Sequence, residues 1–207
     1  MARTIGSEGA RTEAAIREAA ARLFARHGFE GVSMRRLAEE VGVQAGALYR
    51  YFPTKQALLA DMMADHLRRL LDAWEAEPKP RADPPAELAA FARFHVRYHV
   101  DRRDEVFVNY MELRSLAPDH FSQIAALRDA YEAPLRDILA RGARAGQFHV
   151  PDLPVTAMAL VAMLTGVTRW ARPGGRLDAD ALADLHAALA LGAVRAPHPE
   201  PSCFTPA

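Results

Sequence analysis

The sequence is short of most residues that would announce a chemistry. It has one cysteine, Cys203, in the proline-rich stretch PHPEPSCFTPA, which excludes a disulfide framework and a cysteine-based metal site. That usage fits a reducing, cytoplasmic compartment. Net charge is zero, so the chain as a whole offers no field to steer a partner. The most hydrophobic stretch, Val155 to Val167, carries Thr156 and Thr165 and closes at Arg169. It falls short of the about 20 apolar residues that span a bilayer and predicts a buried helix, so no membrane partner is expected. The first twenty residues contain no apolar h-region, which argues against a secretory signal. No Gly-rich phosphate loop is present, and the one close histidine pair, His95 and His99, lacks an evident acid partner. An enzyme is therefore disfavoured and no cofactor is expected. Strict apolar–polar alternation is also missing, which excludes an ordinary half-buried sheet.

What remains is helical period almost everywhere. Ile16, Ala19, Ala20, Leu23 and Phe24 form one stripe that ends at Gly28. Ser33 reads as the N-cap of a short second helix, with Met34, Leu37, Ala38 and Val41 on one face and Gly42 as its stop. A third helix starts near Gln44 or Ala45 and is broken by Pro53 after about two turns. Thr54 then caps a longer helix running through Leu71 or beyond. The four prolines of Ala76 to Ala86 mark a boundary or bend. Helices follow near 85–100, 103–115, 119–142, 153–171 and 179–194, with Asp152 and Asp178 as N-caps and a turn at Arg172 to Arg176. The fold class is all-α: a three-helix N-terminal domain at 10–60, a helical bundle at 61–196 and a disordered tail at 197–207.

The segment VGVQAGALYRYFPTKQALL, Val41 to Leu59, sets three aromatics directly after a turn. With the helix before it, this gives the helix-turn-helix pattern, whose second helix enters the DNA major groove. Gly42 permits the positive φ of a helix C-terminus. Gly46 removes a side chain where backbone must approach DNA, beside Gln44, Ala45 and Ala47 at the start of the recognition helix. Tyr49 and Tyr51 offer hydroxyls to phosphates, and Phe52 closes a small core with Phe24, Leu37 and Leu48. Lys55 lies in the first turn of the next helix, where the dipole already favours a phosphate. Ser33, Arg35, Arg36 and Arg50 complete the set. The charge distribution agrees in sign: residues 1–60 hold nine Arg and Lys against six Asp and Glu. A plain three-helix subdomain with boundary tyrosines is the competing reading.

Residues 12–59, TEAAIREAAARLFARHGFEGVSMRRLAEEVGVQAGALYRYFPTKQALL, resemble the N-terminal domain of the TetR family of bacterial transcriptional regulators. One position departs: the recognition helix commonly opens with a Ser or Thr cap, and here Gln44 stands there. The resemblance implies a repressor binding double-stranded operator DNA. It also implies a helical ligand-binding domain that encloses an effector pocket and forms a homodimer through its last two helices. The stripe Val155, Ala159, Met163, Gly166 and Trp170 is compatible, as are Leu182, Leu185, Leu189 and Val194, although such stripes also suit an internal core.

Within the larger domain, Tyr98, Phe107, Tyr110, Met111, Tyr131, Met163 and Trp170 would line an apolar cavity, with His95, Asn109 or Arg114 as polar contacts. Packed, hydrogen-bonded histidines are preferred for His95 and His99; a metal would need a carboxylate or third His from elsewhere, for which Glu105 or Glu112 could serve. A narrower similarity covers about forty residues, EVFVNYMELRSL and TRWARPGGRLDADALADLHAALALG. It is to a TetR branch responding to acyl-coenzyme A thioesters of fatty-acid and steroid breakdown. That likeness implies Arg169 and Trp170 near a pocket mouth and an acyl-CoA as small-molecule effector. The alternatives are another small hydrophobic ligand, or a helical enzyme acting on a thioester.

Overall fold

A computed structural model describes residues 5–80 and 83–195, and the expected tail at 197–207 with Cys203 lies outside them. Among the described residues the chain is helical, with no strand. It runs as α1 (Ile5–His27), α2 (Met34–Val41), α3 (Ala45–Tyr51), α4 (Lys55–Ala76), α5 (Pro84–Val100), α6 (Arg103–Met111), α7 (Pro118–Arg144), α8 (Leu153–Trp170) and α9 (Ala179–Arg195). A single 3-10 turn, Leu113–Ser115, separates α6 from α7.

Packing divides these elements into two compact units. Among the described residues the first holds 5–72 and 102–129; the second holds 73–80, 83–101 and 130–195. In the first unit α1 packs on α2 and α6, and α2 on α3. The expected small core is present: Phe24, Leu37 and Leu48 are fully buried and Phe52 nearly so, and Ile16 of α1 is fully buried too. Phe29 joins it edge-on to Phe24, with ring centroids 5.4 Å apart. Polar caps set the helix ends. Thr54 Oγ1 accepts the Ala57 N–H at 2.9 Å, and Asp152 and Asp178 accept from Val155 and Ala181 at 2.9 and 2.8 Å.

In the second unit α5 is the central helix, with 13 of its 17 residues buried, and packs on α8 and α9. Ala183, Ala187 and Ala190 of α9 are buried and small, which lets the two backbones approach closely. Glu87 of α5 is 6% exposed and holds Arg141 of α7 bidentately at 2.5 and 3.1 Å. Those bonds and a further one to Asp137 raise the Arg141 pKa. Gly142 is required for space: an added Cβ would enter the buried Phe148 ring. Gly142→Ala should lower stability by about 1–3 kcal/mol, read as a drop in the urea midpoint.

Two expectations need correction. The stretch at 103–115 is not one helix: Glu112 leaves helical geometry, with φ −98° and ψ 6°, because its carboxylate turns back to bond two neighbouring groups described below. And α8 is not a buried helix. Only 33% of its 18 residues is buried, because it lies along the bundle with Val155, Met158, Ala159 and Ala162 left exposed.

Candidate DNA-binding face and its surroundings

The face around α3 is assembled from local signals. Ser33 is extended, at φ −94° and ψ 155°, and its Oγ accepts the Arg36 N–H at 3.2 Å, starting α2. Gly42 ends α2 at φ +77°, and its N–H reaches the Ala38 and Glu39 carbonyls. Gln44 sits at the N-cap of α3 with an extended backbone and no side-chain capping bond, so its exposed amide is left uncommitted.

Only one side of α3 is anchored. Leu48 is fully buried and Phe52 closes the helix beneath it. Ala45 and Ala47 are half-buried, while Gly46, Tyr49, Arg50 and Tyr51 are exposed. Tyr49 is 49% and Tyr51 36% exposed, and among the described residues neither hydroxyl has a partner. Their polar tips therefore face solvent. Arg35 pairs with Glu39 at 3.0 Å and Arg36 donates to His27 Nε2 at 2.8 Å, both on the surface. Exposed pairs of this kind are worth roughly 0–1 kcal/mol, so either guanidinium can exchange its partner for a phosphate. Lys55 behaves differently. Its ammonium donates to the Phe29 carbonyl at 2.9 Å and lies 4.1 Å over the Phe29 ring, with Glu30 at 3.8 Å.

Three polar clusters lie away from this face, and the sequence pattern singled out only the histidine pair of the third. In the first unit, buried His66 bonds Glu105 at 2.8 Å, and Arg69 reaches the same carboxylate oxygen at 2.7 Å. Burial pushes the Glu105 carboxyl up, but the hydrogen bonds and charges of His66 and Arg69 outweigh it and hold its pKa at about 2. A folded pKa below the ordinary 4.5 means the unfolded chain takes up the proton first. The stabilisation is complete above the ordinary value and disappears as pH falls towards 2. Urea melts across that window should show declining stability in the wild type and a shallower decline in Glu105→Gln.

A second cluster, also in the first unit, joins Glu112, Ser115 and Gln56. Glu112 Oε1 accepts the Phe29 N–H at 3.0 Å and Oε2 accepts the Ser115 hydroxyl at 2.7 Å. Gln56 donates to the Ser115 carbonyl at 2.7 Å and accepts the Ala117 N–H at 3.1 Å. These partners are up to 83 positions apart in sequence, and no short-range pattern could reveal them. The third cluster is in the second unit. His95 is fully buried, with Nδ1 3.0 Å from the Tyr131 hydroxyl and Nε2 2.9 Å from Thr165 Oγ1. The His99 ring stacks on it at 3.9 Å and donates from Nδ1 to the His95 carbonyl at 2.7 Å. This is the packed, hydrogen-bonded histidine pair expected from the spacing; Glu105 and Glu112 are engaged with the partners just named.

The residues expected to line a ligand cavity fall in both units. Phe107, Tyr110, Met111 and Arg114 belong to the first and are all exposed, with Arg128 lying 4.4 Å over the Tyr110 ring. His95, Tyr98, Tyr131, Met163, Arg169 and Trp170 belong to the second. There His95, Tyr98 and Tyr131 are buried, Met163 is half-buried, and Arg169 and Trp170 are exposed.

Comparison with known proteins gives two family matches. Residues 16–62 match the bacterial regulatory proteins of the tetR family, and residues 81–194 match the tetracyclin repressor-like C-terminal domain. The chain is 25% identical over 197 residues to the HTH-type transcriptional repressor KstR2 of Rhodococcus jostii, covering 94% of this chain and 96% of that one. A solved tetR-family regulatory protein from Rhodococcus RHA1 aligns with TM-score 0.83 and 31% identity, over 90% of this chain and 98% of the other. AibR, solved in complex with isovaleryl coenzyme A and operator DNA, aligns with TM-score 0.73 and 25% identity, over 90% of this chain and 100% of its own.

Proposed function

As a member of the TetR family of bacterial transcriptional regulators, the chain is a DNA-binding repressor and not an enzyme, and we propose that it acts as a homodimer whose operator affinity is controlled by an acyl-coenzyme A thioester. The observation that carries this reading is the outer face of α3. Its glycine, its two unpartnered tyrosine hydroxyls and Arg50 have no role in the core and are all available to a polyanion.

In this reading Gln44, Ala45, Gly46 and Ala47 meet base edges. Ser33, Arg35, Arg36, Tyr49, Arg50 and Tyr51 hold phosphates and fix the register, while carrying no sequence information themselves. Lys55 can add a phosphate only with the donors left free by its bond to Phe29. An operator-binding protein works where the chromosome is, in the cytoplasm. Two-fold operators call for a two-fold protein, and the exposed apolar faces of α8 and α9 supply a surface for it.

The ligand class is supported by likeness to AibR, solved with isovaleryl coenzyme A. The side chains agree in kind. Exposed Trp170 beside Arg169 suits a phosphorylated head group carrying an aromatic base, and Tyr98, Tyr131 and Met163 suit an acyl chain. Ligand can change DNA affinity only by binding two conformations unequally, however tightly it binds.

Fluorescence anisotropy tests both halves, using a duplex selected by the protein from a random library, with scrambled duplex as competitor at fixed salt. The expected result is specific binding that one acyl-CoA changes by about 5–150-fold and its free fatty acid does not. Arg169→Ala should weaken that response while sparing DNA binding without ligand. Specific binding indifferent to every acyl-CoA would retire this effector class in favour of another small hydrophobic ligand.

A further inference from the structure

The turn that leads into the helix-turn-helix does not complete its own hydrogen bonds. Phe29 lies in this turn, between α1 and α2, and is 2% exposed; its carbonyl accepts the Val32 N–H at 3.3 Å, while its own N–H has no acceptor within the turn. Its carbonyl also accepts from Lys55 at the start of α4, and its N–H donates to Glu112 just past α6. The next residue of α4, Gln56, clamps the segment between α6 and α7 by bonding the Ser115 carbonyl and the Ala117 N–H. Ser115 closes the ring by donating its hydroxyl to Glu112. Phe29, Lys55, Gln56, Ser115 and Glu112 thus form one closed circuit within the first unit.

From this circuit we infer that Glu112 and Gln56 are positioning residues for operator binding, through which the segment 112–117 sets the aim of α2 and α3. The two oxygens of Glu112 accept from a backbone N–H and a hydroxyl rather than from a cation. A carboxylate spent in this way fixes backbone geometry instead of balancing charge. Glu112 also leaves helical geometry to do it, ending α6 at Met111. Its Oε1 sits over Gly28, where an added Cβ would lie 3.7 Å away, so it covers the exit from α1 directly. Five residues after Phe29, Met34 begins α2, and the Gly42 turn carries any change in direction into α3.

The consequence for DNA is selective. Base-edge contacts need a recognition helix held to within a fraction of an ångström, while phosphate contacts from flexible arginines tolerate re-aiming. Loosening the circuit should therefore lower sequence-specific affinity and leave non-specific affinity unchanged. The inference rests on operator binding by α3 but is independent of the effector. It also places residues that decide operator affinity in the segment matched by the C-terminal family model.

The test uses the full-length chain with Glu112→Ala, Glu112→Gln and Gln56→Leu, on the selected duplex and on scrambled duplex. Thermal midpoints and hydrogen exchange are read on the same samples. Glu112→Ala and Gln56→Leu should each weaken specific binding about tenfold, with scrambled-duplex binding unaltered. Exchange at the Phe29 amide should accelerate in Glu112→Ala. Glu112→Gln keeps a carbonyl acceptor for that amide and should recover most of the loss. Wild-type operator affinity in all three variants would overturn the inference. So would parallel loss of specific and non-specific binding tracking a lower thermal midpoint, because that pattern belongs to a merely structural role. Should Glu112→Ala fail to fold, Gln56→Leu and Ser115→Ala carry the same comparison. Failure of the wild type to prefer any duplex would instead remove the operator reading itself.

Discussion

Gly46→Glu should abolish sequence-specific DNA binding without unfolding the protein, and Gly46→Ala should move stability and binding in opposite directions. Gly46 is the second residue of α3 and is exposed; a Cβ built on it meets nothing within 4 Å. Nor does its backbone have positive φ. The fold therefore has no use for glycine there, and alanine should be accepted with a helix-propensity gain of up to about 1 kcal/mol. What benefits from the missing side chain is whatever approaches the outer face of α3. Against DNA, a methyl group there separates backbone from base edges, and a carboxylate adds repulsion from phosphates. Gly46→Glu should lower affinity for the selected duplex to the non-specific level, a fall of roughly 10³ or more. Circular dichroism melts should place Gly46→Ala at or above the wild type. Unimpaired operator binding by Gly46→Glu would mean the N-terminal end of α3 lies outside the groove.

This separation of fold from function also explains what the sequence disclosed. Ser33, Thr54, Asp152 and Asp178 act within three residues of themselves, so a capping residue before a periodic run was enough to find them. The α3 face was legible for the same reason, because Leu48 and Phe52 fix one side and the rest follows by helical period. Gln44 shows the limit of a family pattern: it stands where a cap is usual, and the backbone adopts the cap conformation without the bond.

Long-range polar chemistry was the part not legible. The end of α6 depends on where Glu112 finds its donors, one of which is 83 positions away. Helical periodicity continued through 112–115 and gave no warning, since propensity is silent about a tertiary hydrogen bond. His66 was hidden in the same way: at a helical core position, a histidine bonded to a carboxylate 39 residues on looks like any other polar interruption. Lys55 was recognisable as a cation at a helix start, but its grip on Phe29 follows only once α1 and α4 are set side by side. The reading of α8 failed for a different reason. Apolar composition says how much surface wants cover and not which molecule supplies it.

That distinction decides the last expected result: in the proposed homodimer, Leu189→Glu should yield a folded monomer whose operator affinity is at least about a hundredfold weaker. Leu185 and Leu189 on α9 are 50% and 56% exposed, and Val155 and Met158 on α8 are 56% and 55% exposed. Alternating with them are Ala159, Ala162, Ala188 and Gly192, all small or exposed, so both helices present flat faces that another pair can approach closely. Apolar side chains in such a row invite burial against a second molecule. In a two-fold interface each substitution is counted twice, so one Glu per chain places two carboxylates among apolar side chains. The monomer itself loses little, because Leu189 stands clear of the buried core. Sedimentation velocity should show the change in mass, and circular dichroism an unaltered helical signal. Operator affinity then falls because two half-sites no longer share one protein and the second contact loses its local concentration. An unchanged dimer would move the interface away from α9, and an unchanged affinity in a proven monomer would mean that one helix-turn-helix reads the operator alone.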